Sequence, residues 1–334
     1  MDSIAPMEAK LVESLPDGPG WQFEPKWDGF RCIAMRDGDD VRLVSKAGKP
    51  LGRYFPEVVE MLAGLAAPRF VLDGELIIPV RDCLSFEALQ LRLHPAESRI
   101  RKLAGQTPAQ YMLFDLLALD EEMLASRSLE ERRAALERFH AAQSGPSLLL
   151  SPATMESDQA NAWLARSGGA LDGVVAKRLD EPYRSGERAM LKVKQIRSAD
   201  CVVAGFRYAS GKQEAGSLLL GLFGEDGKLH HVGFCPPPGD KAELTARLEA
   251  LVDPPGFTGD APGGPSRWST ERSAQWQPLR WDLIAEVKYD QVTGRRFRHA
   301  TRFLRWRPDK APEQCGFDQL VGELAPAELD RLLP

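Results

Sequence analysis

The string Lys26-Trp27-Asp28-Gly29-Phe30-Arg31 brings an amine, a carboxylate and a guanidinium close together in the chain. That set suits covalent nucleotidyl transfer: the amine attacks an α-phosphate, the acid keeps it oriented and the arginine holds the sugar. An ordinary lysine titrates near ~10.4, so almost none of it is free amine at neutral pH. Neighbouring cations or desolvation must lower that value before the side chain can attack, and lysines that could do so follow at Lys192 and Lys194. A plainer reading stands beside this one. Asp-Gly is a turn dipeptide, and it recurs at Asp17-Gly18, Asp37-Gly38, Asp73-Gly74, Asp172-Gly173 and Asp226-Gly227. Taken alone, Asp28-Gly29 is a hairpin turn; the full lysine–acid–glycine–arginine spacing is rarer.

Four further strings could complete such a site. Asp73-Gly74-Glu75-Leu76 lies in an apolar stretch and offers a carboxylate to a ribose hydroxyl or a metal. Phe114-Asp115-Leu116-Leu117 offers a ring to a base. Asp172-Gly173-Val174-Val175-Ala176-Lys177 ends a loop on an acid and begins a strand. Leu191-Lys192-Val193-Lys194 puts two lysines on one side of a strand, about 7 Å apart. Singly, each also reads as a turn, a core phenylalanine, a second turn or a solvated strand edge.

These residues need elements to position them. Residues 29–35 and 41–45 form a hairpin about Asp37-Gly38-Asp39, 56–65 a helix and 70–78 a strand. Residues 85–93 are helical, 111–117 an apolar strand, and 128–142 a long helix with Ser128 as its N-cap. A helix over 158–167 precedes strands at 173–177 and 189–193. The character changes near Arg197-Ser198-Ala199-Asp200. Short strands at 201–207, 217–223, 229–234, 283–289 and 301–306 then surround one helix, 240–251, which fits a small Greek-key barrel of OB type. Pro236–Gly239 and Asp253–Pro265 are Pro/Gly-rich loops.

The chain has 334 residues, enough for two domains with a core in each. No apolar run approaches the ~20 residues of a membrane helix. Met1–Lys10 lacks a secretory apolar stretch, so a cytoplasmic chain is expected. Cys32, Cys83, Cys201, Cys235 and Cys315 show no paired spacing, which argues against disulfides and a zinc site. The adjacent pair His230-His231 would point to opposite faces of a strand, unlike metal ligands. A net charge of −5 argues against a chain that coats DNA regardless of geometry. The stretch Lys288–Lys310 is nevertheless strongly basic, and Phe303-Leu304-Arg305-Trp306-Arg307 reads as a strand presenting Arg305 and Arg307 on one side as a phosphate-facing row.

In their order after Lys26, the strings resemble the motif set of the covalent nucleotidyltransferases: DNA ligases, RNA ligases and mRNA-capping enzymes. Residues 302–310, from Arg302 to Lys310, resemble the last motif of the ligase and capping members. The likeness runs from Glu24 to Lys310 and is nearest to the small bacterial ATP-dependent DNA ligases of the C type and the ligase domain of DNA ligase D. It implies an α+β fold: an adenylation (nucleotidyltransferase) domain of antiparallel sheets flanked by helices over residues 1–196, followed by a C-terminal OB-fold β-barrel over 197–334. It further implies an ATP-dependent DNA ligase that seals nicks in duplex DNA through a lysyl-AMP and a DNA-adenylate.

Carried over residue by residue, the resemblance implies that Lys26 is adenylated at its ζ-nitrogen, with Glu24 by the adenine edge and Phe114 stacked on the ring. Arg31 and Glu75 hold the ribose. Glu75 and Asp172 hold Mg2+ or Mn2+, and Lys192 and Lys194 neutralise the α-phosphate while supplying the field that depresses the Lys26 pKa. Arg307, Asp309 and Lys310 orient the pyrophosphate, with Lys310 in the catalytic set. Lys46, Arg53 and Arg305 contact DNA. A hinge near Arg197–Asp200 lets the barrel reorient between steps. The expected setting is DNA repair and recombination on the nucleoid of a bacterial cytoplasm. The chain would act as a monomer, away from membranes, with an end-binding protein or repair polymerase as partner.

Two residues depart from the pattern. Asp172 stands where many members have glutamate, so its metal contact must reach one methylene further or use water. Ser45-Lys46-Ala47-Gly48 resembles a Ser-Arg-Asn-Gly string at the nick, and lysine there loses bidentate phosphate recognition. Only a short segment precedes Lys26. The helical DNA-binding domain of larger ligases is therefore expected to be absent, and DNA to be gripped weakly and salt-dependently through patches such as Arg92, Arg99, Arg101 and Lys102. The rival enzyme readings are an RNA ligase and a GTP-dependent capping-type nucleotidyltransferase. A non-catalytic nick- or end-binding module is the rival of another class. The intact set Lys26, Glu75, Lys192, Lys194 and Lys310 argues against the module, since a pure binder has no use for a lysine nucleophile.

Overall fold

The computed structural model describes residues 4–80, 83–143, 145–166, 171–195, 197–263, 275–290, 292–293, 295–298 and 301–320. They fall into two compact units, residues 4–195 and 197–320.

The first unit is built on two sheets. The smaller has the strand order Ala9–Val12, Met190–Val193, Leu171–Arg178, Trp21–Trp27. The larger has the order Leu148–Leu150, Gln110–Leu119, Arg69–Ile77, Phe30–Asp37, Asp40–Ser45, with Glu122–Met123 paired on Gln110–Leu119. Neighbours are antiparallel except at one edge of each sheet, where Ala9–Val12 and Leu148–Leu150 run parallel to their partners. Each of these two edge strands comes from a distant segment of the chain, and parallel pairing needs such a long connection.

Alternation along the strands divides the larger sheet into two faces. Phe70, Leu72 and Leu76 pack with Val58, Leu62, Leu89 and Leu136 from the helices Pro56–Ala63, Phe86–Arg92 and Leu129–Ala142. The intervening Val71 and Ile77 turn toward the smaller sheet. There Val71, Ile33 and Leu117 meet Met190, and Ile77 and Met112 meet Phe23, Trp27 and Val174. By the same period of two, Arg31, Asp73 and Glu75 also face the space between the sheets. Ser128 caps the long helix with a full capping box to Glu131, as its position predicts. The sequence reading lacked the helix Glu97–Gln106 and the strands Ala9–Val12 and Trp21–Trp27. Pro25 lies inside Trp21–Trp27, which a sheet tolerates because this strand is an edge.

Asp28-Gly29 is not a hairpin turn. It carries the chain from Trp27 in the smaller sheet directly to Phe30 in the larger, so Lys26 and Arg31 belong to opposing sheets. Gly29 is required by close approach: a Cβ there would lie 2.2 Å from the Leu76 carbonyl oxygen and 2.8 Å from Glu75 Cγ. Gly29→Ala is expected to destabilise the protein by about 3 kcal/mol, read as a lower urea midpoint, because backbone rather than a flexible side chain must move. A midpoint matching wild type would refute that account.

The second unit is an antiparallel sheet with the order Leu229–Cys235, Ala215–Phe223, Arg197–Tyr208, Ile284–Tyr289, Arg302–Trp306. The short strand Gln277–Pro278 also pairs with Arg197–Tyr208, the helix Lys241–Glu249 follows Leu229–Cys235 in the chain, and Thr301 donates its N–H to the Phe234 carbonyl at 3.3 Å, linking the two ends of the sheet. This is the OB-type arrangement. Phe206, Leu220, Val232, Leu248 and Val287 form its core. Arg197–Asp200 are ladder residues paired with Glu286–Tyr289 within the second unit, and the division between the two units falls just before them, after Gln195. His230 sits 3.1 Å from both Asp226 and Asp260, and His231 is buried, which pushes its ring down to about 3. Cys32, Cys201, Cys235 and Cys315 are free, buried thiols. The expected loop Asp253–Pro265 runs into residues 264–265, and the expected helix 158–167 into Ser167; all three lie outside the described residues. Among the described residues no helix is long and apolar enough to cross a membrane.

Candidate functional site

A cleft of about 920 Å³ opens within the first unit, lined among others by Glu24, Lys26, Arg31, Glu75, Phe114 and Lys192. Period-two alternation explains how so many polar groups share it: Glu24 and Lys26, Val175 and Lys177, and Met190 and Lys192 lie two apart on three adjacent strands. Behind Lys26, Asp172 accepts from two ammonium groups, Lys26 Nζ at 2.6 Å and Lys194 Nζ at 2.9 Å. A bulge aims this carboxylate. Leu171 pairs with Trp27 and Val174 with Pro25, leaving one extra residue in the strand. Gly173 at φ +129° makes that bulge, and a Cβ on it would meet the Val193 carbonyl at 2.0 Å. Burial opposes the charge on Asp172, but Lys26 and Lys194 outweigh it and hold the carboxyl below its ordinary value. Lys192 is pushed down by burial and then by the ammonium groups of Lys26, Lys194 and Lys46.

A second cluster surrounds Phe114. The Arg31 guanidinium grips Asp73 with two bonds of 2.6 Å and lies 4.4 Å from the Phe114 ring centroid, and Lys177 Nζ lies 5.0 Å from it. Lys177 also bonds Glu24 at 2.8 Å, and Gln22 Nε2 donates to Glu24 at 2.7 Å. The sequence reading missed Asp73, Lys177, Gln22 and Tyr183 as members of this cluster. Asp73 and Lys177 stood inside strings it singled out. Tyr183 carried no local signal, because its partner is Asp73, far away in the chain.

Burial raises the Glu75 carboxyl from 4.5 to about 7; Asp28 and Asp73 add to this, and Lys26 and Arg31 oppose it. The folded state thus binds a proton that the unfolded state has released between about pH 4.5 and 7, and stability falls as pH rises through that window. Glu75→Gln is expected to flatten this slope and to be more stable than wild type at pH 8 by on the order of 2 kcal/mol. Urea melts at pH 5 and pH 8 check this; an unchanged slope would refute it.

The remaining candidates are more dispersed. Lys46 pairs with Glu8 at 3.2 Å, and Arg53 donates to the Pro95 carbonyl at 3.0 Å; both line the cleft. Arg92 does not belong to a surface patch. It is fully buried, bonded to Glu57 and to the carbonyls of Tyr54 and Thr107, and acts as a strut. Arg99, Arg101 and Lys102 are exposed on Glu97–Gln106, with Arg101 paired to Glu97. In the second unit, Arg305 bonds Glu286 at 2.6 Å. Arg307 lies just past the strand, bonded to Asp200 at 2.9 Å and Asp309 at 2.7 Å, and Lys310 reaches Asp200 at 2.5 Å. The expected phosphate-facing row is therefore a set of arginines already paired with acids.

Asp172 and Glu75 are hard oxygen donors beside Lys26, a set that fits Mg2+ or Mn2+. Among the described residues no group of three or more His, Cys, Asp and Glu is arranged to hold a metal ion. Such an ion would take further ligands from phosphates and water, as Mg2+ commonly does.

Two family models match the chain. The ATP dependent DNA ligase domain covers residues 6–194, and the ATP dependent DNA ligase C terminal region covers 211–310. DNA ligase C2 of Mycolicibacterium smegmatis is 45% identical over 335 residues, spanning 95% of this chain and 94% of that protein. DNA ligase C of Mycobacterium tuberculosis is 43% identical over 339 residues, spanning 96% and 94%. The structure of mycobacterial DNA ligase D complexed with ATP and MES is similar at a TM-score of 0.50 and 27% identity, covering 93% of this chain and 97% of that one. With a lysine-centred cleft in one unit, an OB-type sheet in the other and these matches over nearly its whole length, the chain belongs to the ATP-dependent DNA ligase family.

Proposed function

We propose that this DNA ligase seals nicks by three in-line displacements at phosphorus with Lys26 as its nucleophile. The observation that carries the reading is the placement of Lys26 in one cleft with Lys192, Glu75, Arg31 and Phe114, with Asp172 joining it to Lys194. Lys26 Nζ attacks the α-phosphorus of ATP and pyrophosphate departs. The AMP passes to the 5′-phosphate of the nick. The 3′-hydroxyl then attacks that phosphate and AMP leaves. Phe114 stacks on the base, Glu24 meets its edge, and Arg31 and Glu75 hold the ribose. Lys192 and Lys194 neutralise charge developing at the α-phosphate, where positioning and electrostatics supply most of the acceleration. A divalent ion held by Asp172 and Glu75 would add charge neutralisation at the phosphates. Arg307 and Lys310 orient the pyrophosphate, exchanging Asp200 and Asp309 for phosphate oxygens. Lys46, Arg53 and Arg305 meet the DNA backbone. The setting is DNA repair and recombination in the bacterial cytoplasm, the chain acting as a monomer on the nucleoid with nicks delivered by an end-binding protein or repair polymerase.

The test is incubation with α-labelled ATP or GTP and manganese, followed by denaturing electrophoresis and a chase with nicked duplex DNA. Label that follows ATP, survives denaturation and moves to DNA supports the reading. Label from GTP points to capping chemistry, and no label on AMP-free protein points to a binding module.

A further inference from the structure

Tyr183 lies outside the cleft lining, yet its hydroxyl closes a ring of bonds around a residue that does line it. The hydroxyl is 2.6 Å from Asp73 Oδ2 and accepts the Met7 N–H at 2.8 Å. A phenol has one proton, and with Met7 donating to its oxygen, that proton goes to Asp73. Arg31 grips both oxygens of the same Asp73, and its Nη2 reaches back to the Met7 carbonyl at 3.3 Å. Asp73 is fully buried and Tyr183 is 7% exposed, so neither finds replacement partners in bulk water.

The ring is anchored to the support of Phe114. Arg132 is buried, bonds Asp115 at 2.8 and 3.0 Å, donates to the Glu181 carbonyl and lies 5.7 Å from the Tyr183 ring centroid. The Tyr183 N–H donates to the Ala125 carbonyl at 2.9 Å. One scaffold therefore fixes Asp115, next to the stacking ring, and the hydroxyl that holds the counter-ion of Arg31.

We infer that Tyr183 is a positioning residue for the nucleoside: through Asp73 it sets the angle at which Arg31 meets the sugar, and so determines how strongly ATP is preferred over 2′-deoxy-ATP. The inference rests on the reading above that Arg31 holds the ribose. Without the hydroxyl, Asp73 Oδ2 loses one of its two donors and the carboxylate can rotate, carrying the guanidinium with it. A small displacement of a positioning group costs about ten- to a hundred-fold where geometry dominates.

The test is single-turnover lysyl-adenylate formation with ATP and with 2′-deoxy-ATP. Tyr183→Phe is expected to raise the half-saturating ATP concentration about ten-fold, to leave the maximal rate within about two-fold and to shrink the preference for ATP by a similar ten-fold factor. Asp73→Asn reads the same coupling from its other end and must also shrink the preference, which keeps the test available should Tyr183→Phe fold poorly. Tyr111→Phe is the structural control, since its buried hydroxyl bonds the Cys32 and Leu72 carbonyls on the helix-covered face. An unchanged preference in either Tyr183→Phe or Asp73→Asn, or an equal loss in Tyr111→Phe, overturns the inference. Wild-type protein that forms the adenylate equally well from both nucleotides overturns the ribose reading itself, and this inference with it.

Discussion

Lys26→Ala is expected to form no detectable lysyl-adenylate, a loss of at least about 10⁴-fold in the first step, because no other amine can take its place in the displacement. Lys192 is in the same cleft, but it lies on a different strand and its proposed role is that of a cation, so it is not expected to substitute as nucleophile. The loss should be confined to chemistry that needs the lysine. Sealing of a nick that already carries a 5′-adenylate skips the lysyl intermediate and should fall by only about ten-fold, the size of one lost charged contact. Lys26→Arg separates charge from nucleophilicity. It can keep the ion pair to Asp172, seen at 2.6 Å in wild type, so it should unfold at a urea concentration near wild type and still form no adduct. Denaturing electrophoresis with α-labelled ATP reads the first step, and a pre-adenylated nicked duplex reads the last. Labelled Lys26→Ala protein would move the nucleophile elsewhere.

Asp172→Asn carries the second large effect, an expected fall of about 10² to 10³ in the rate of adenylate formation. Asn cannot neutralise the Lys26 and Lys194 ammonium groups, which wild type holds through one carboxylate at 2.6 and 2.9 Å. It is also a poor donor to the divalent ion proposed there. The stability cost should be modest, about 1 to 2 kcal/mol, because the two lysine side chains are 26% and 20% exposed and solvent screens their repulsion. The acid limb provides a separate signature. With its folded pKa below 3.8, Asp172 contributes stability above that unfolded value and loses it as pH falls through the folded one. The variant should lack that part of the acid limb. Asp172→Glu keeps the charge and should remain within about ten-fold of wild type. Equal rates for Asp172→Asn and wild type would remove Asp172 from the mechanism.

Much of the site was legible along the chain because each part of it is local. Lys26 and Arg31 share one string, Glu75 sits on an apolar strand, and Ser128 announces its helix through a capping box that needs only three neighbours. Strand alternation then requires Asp73 and Glu75 to share a face wherever that strand ends up. The family was readable for the same reason: its motifs are short strings in a fixed order.

What the chain alone could not supply depends on residues brought together from far apart. Asp28-Gly29 looks like any turn; only the packed sheets make it the crossing that sets Lys26 opposite Arg31. Arg92 and Arg101 look alike in sequence, and one is a buried strut while the other is a solvated ion pair. The change of character at Arg197–Asp200 is legible in sequence, but only pairing with Glu286–Tyr289 makes these residues the opening of the second unit's first strand. Asp200, Tyr183 and Lys177 matter through partners more than a hundred residues away. Sequence by itself determined which groups are available and which neighbours share a face, because backbone sterics are local. Tertiary structure decided which charges neutralise one another, because desolvation and ion pairing act through space and are set only when distant strands close on each other.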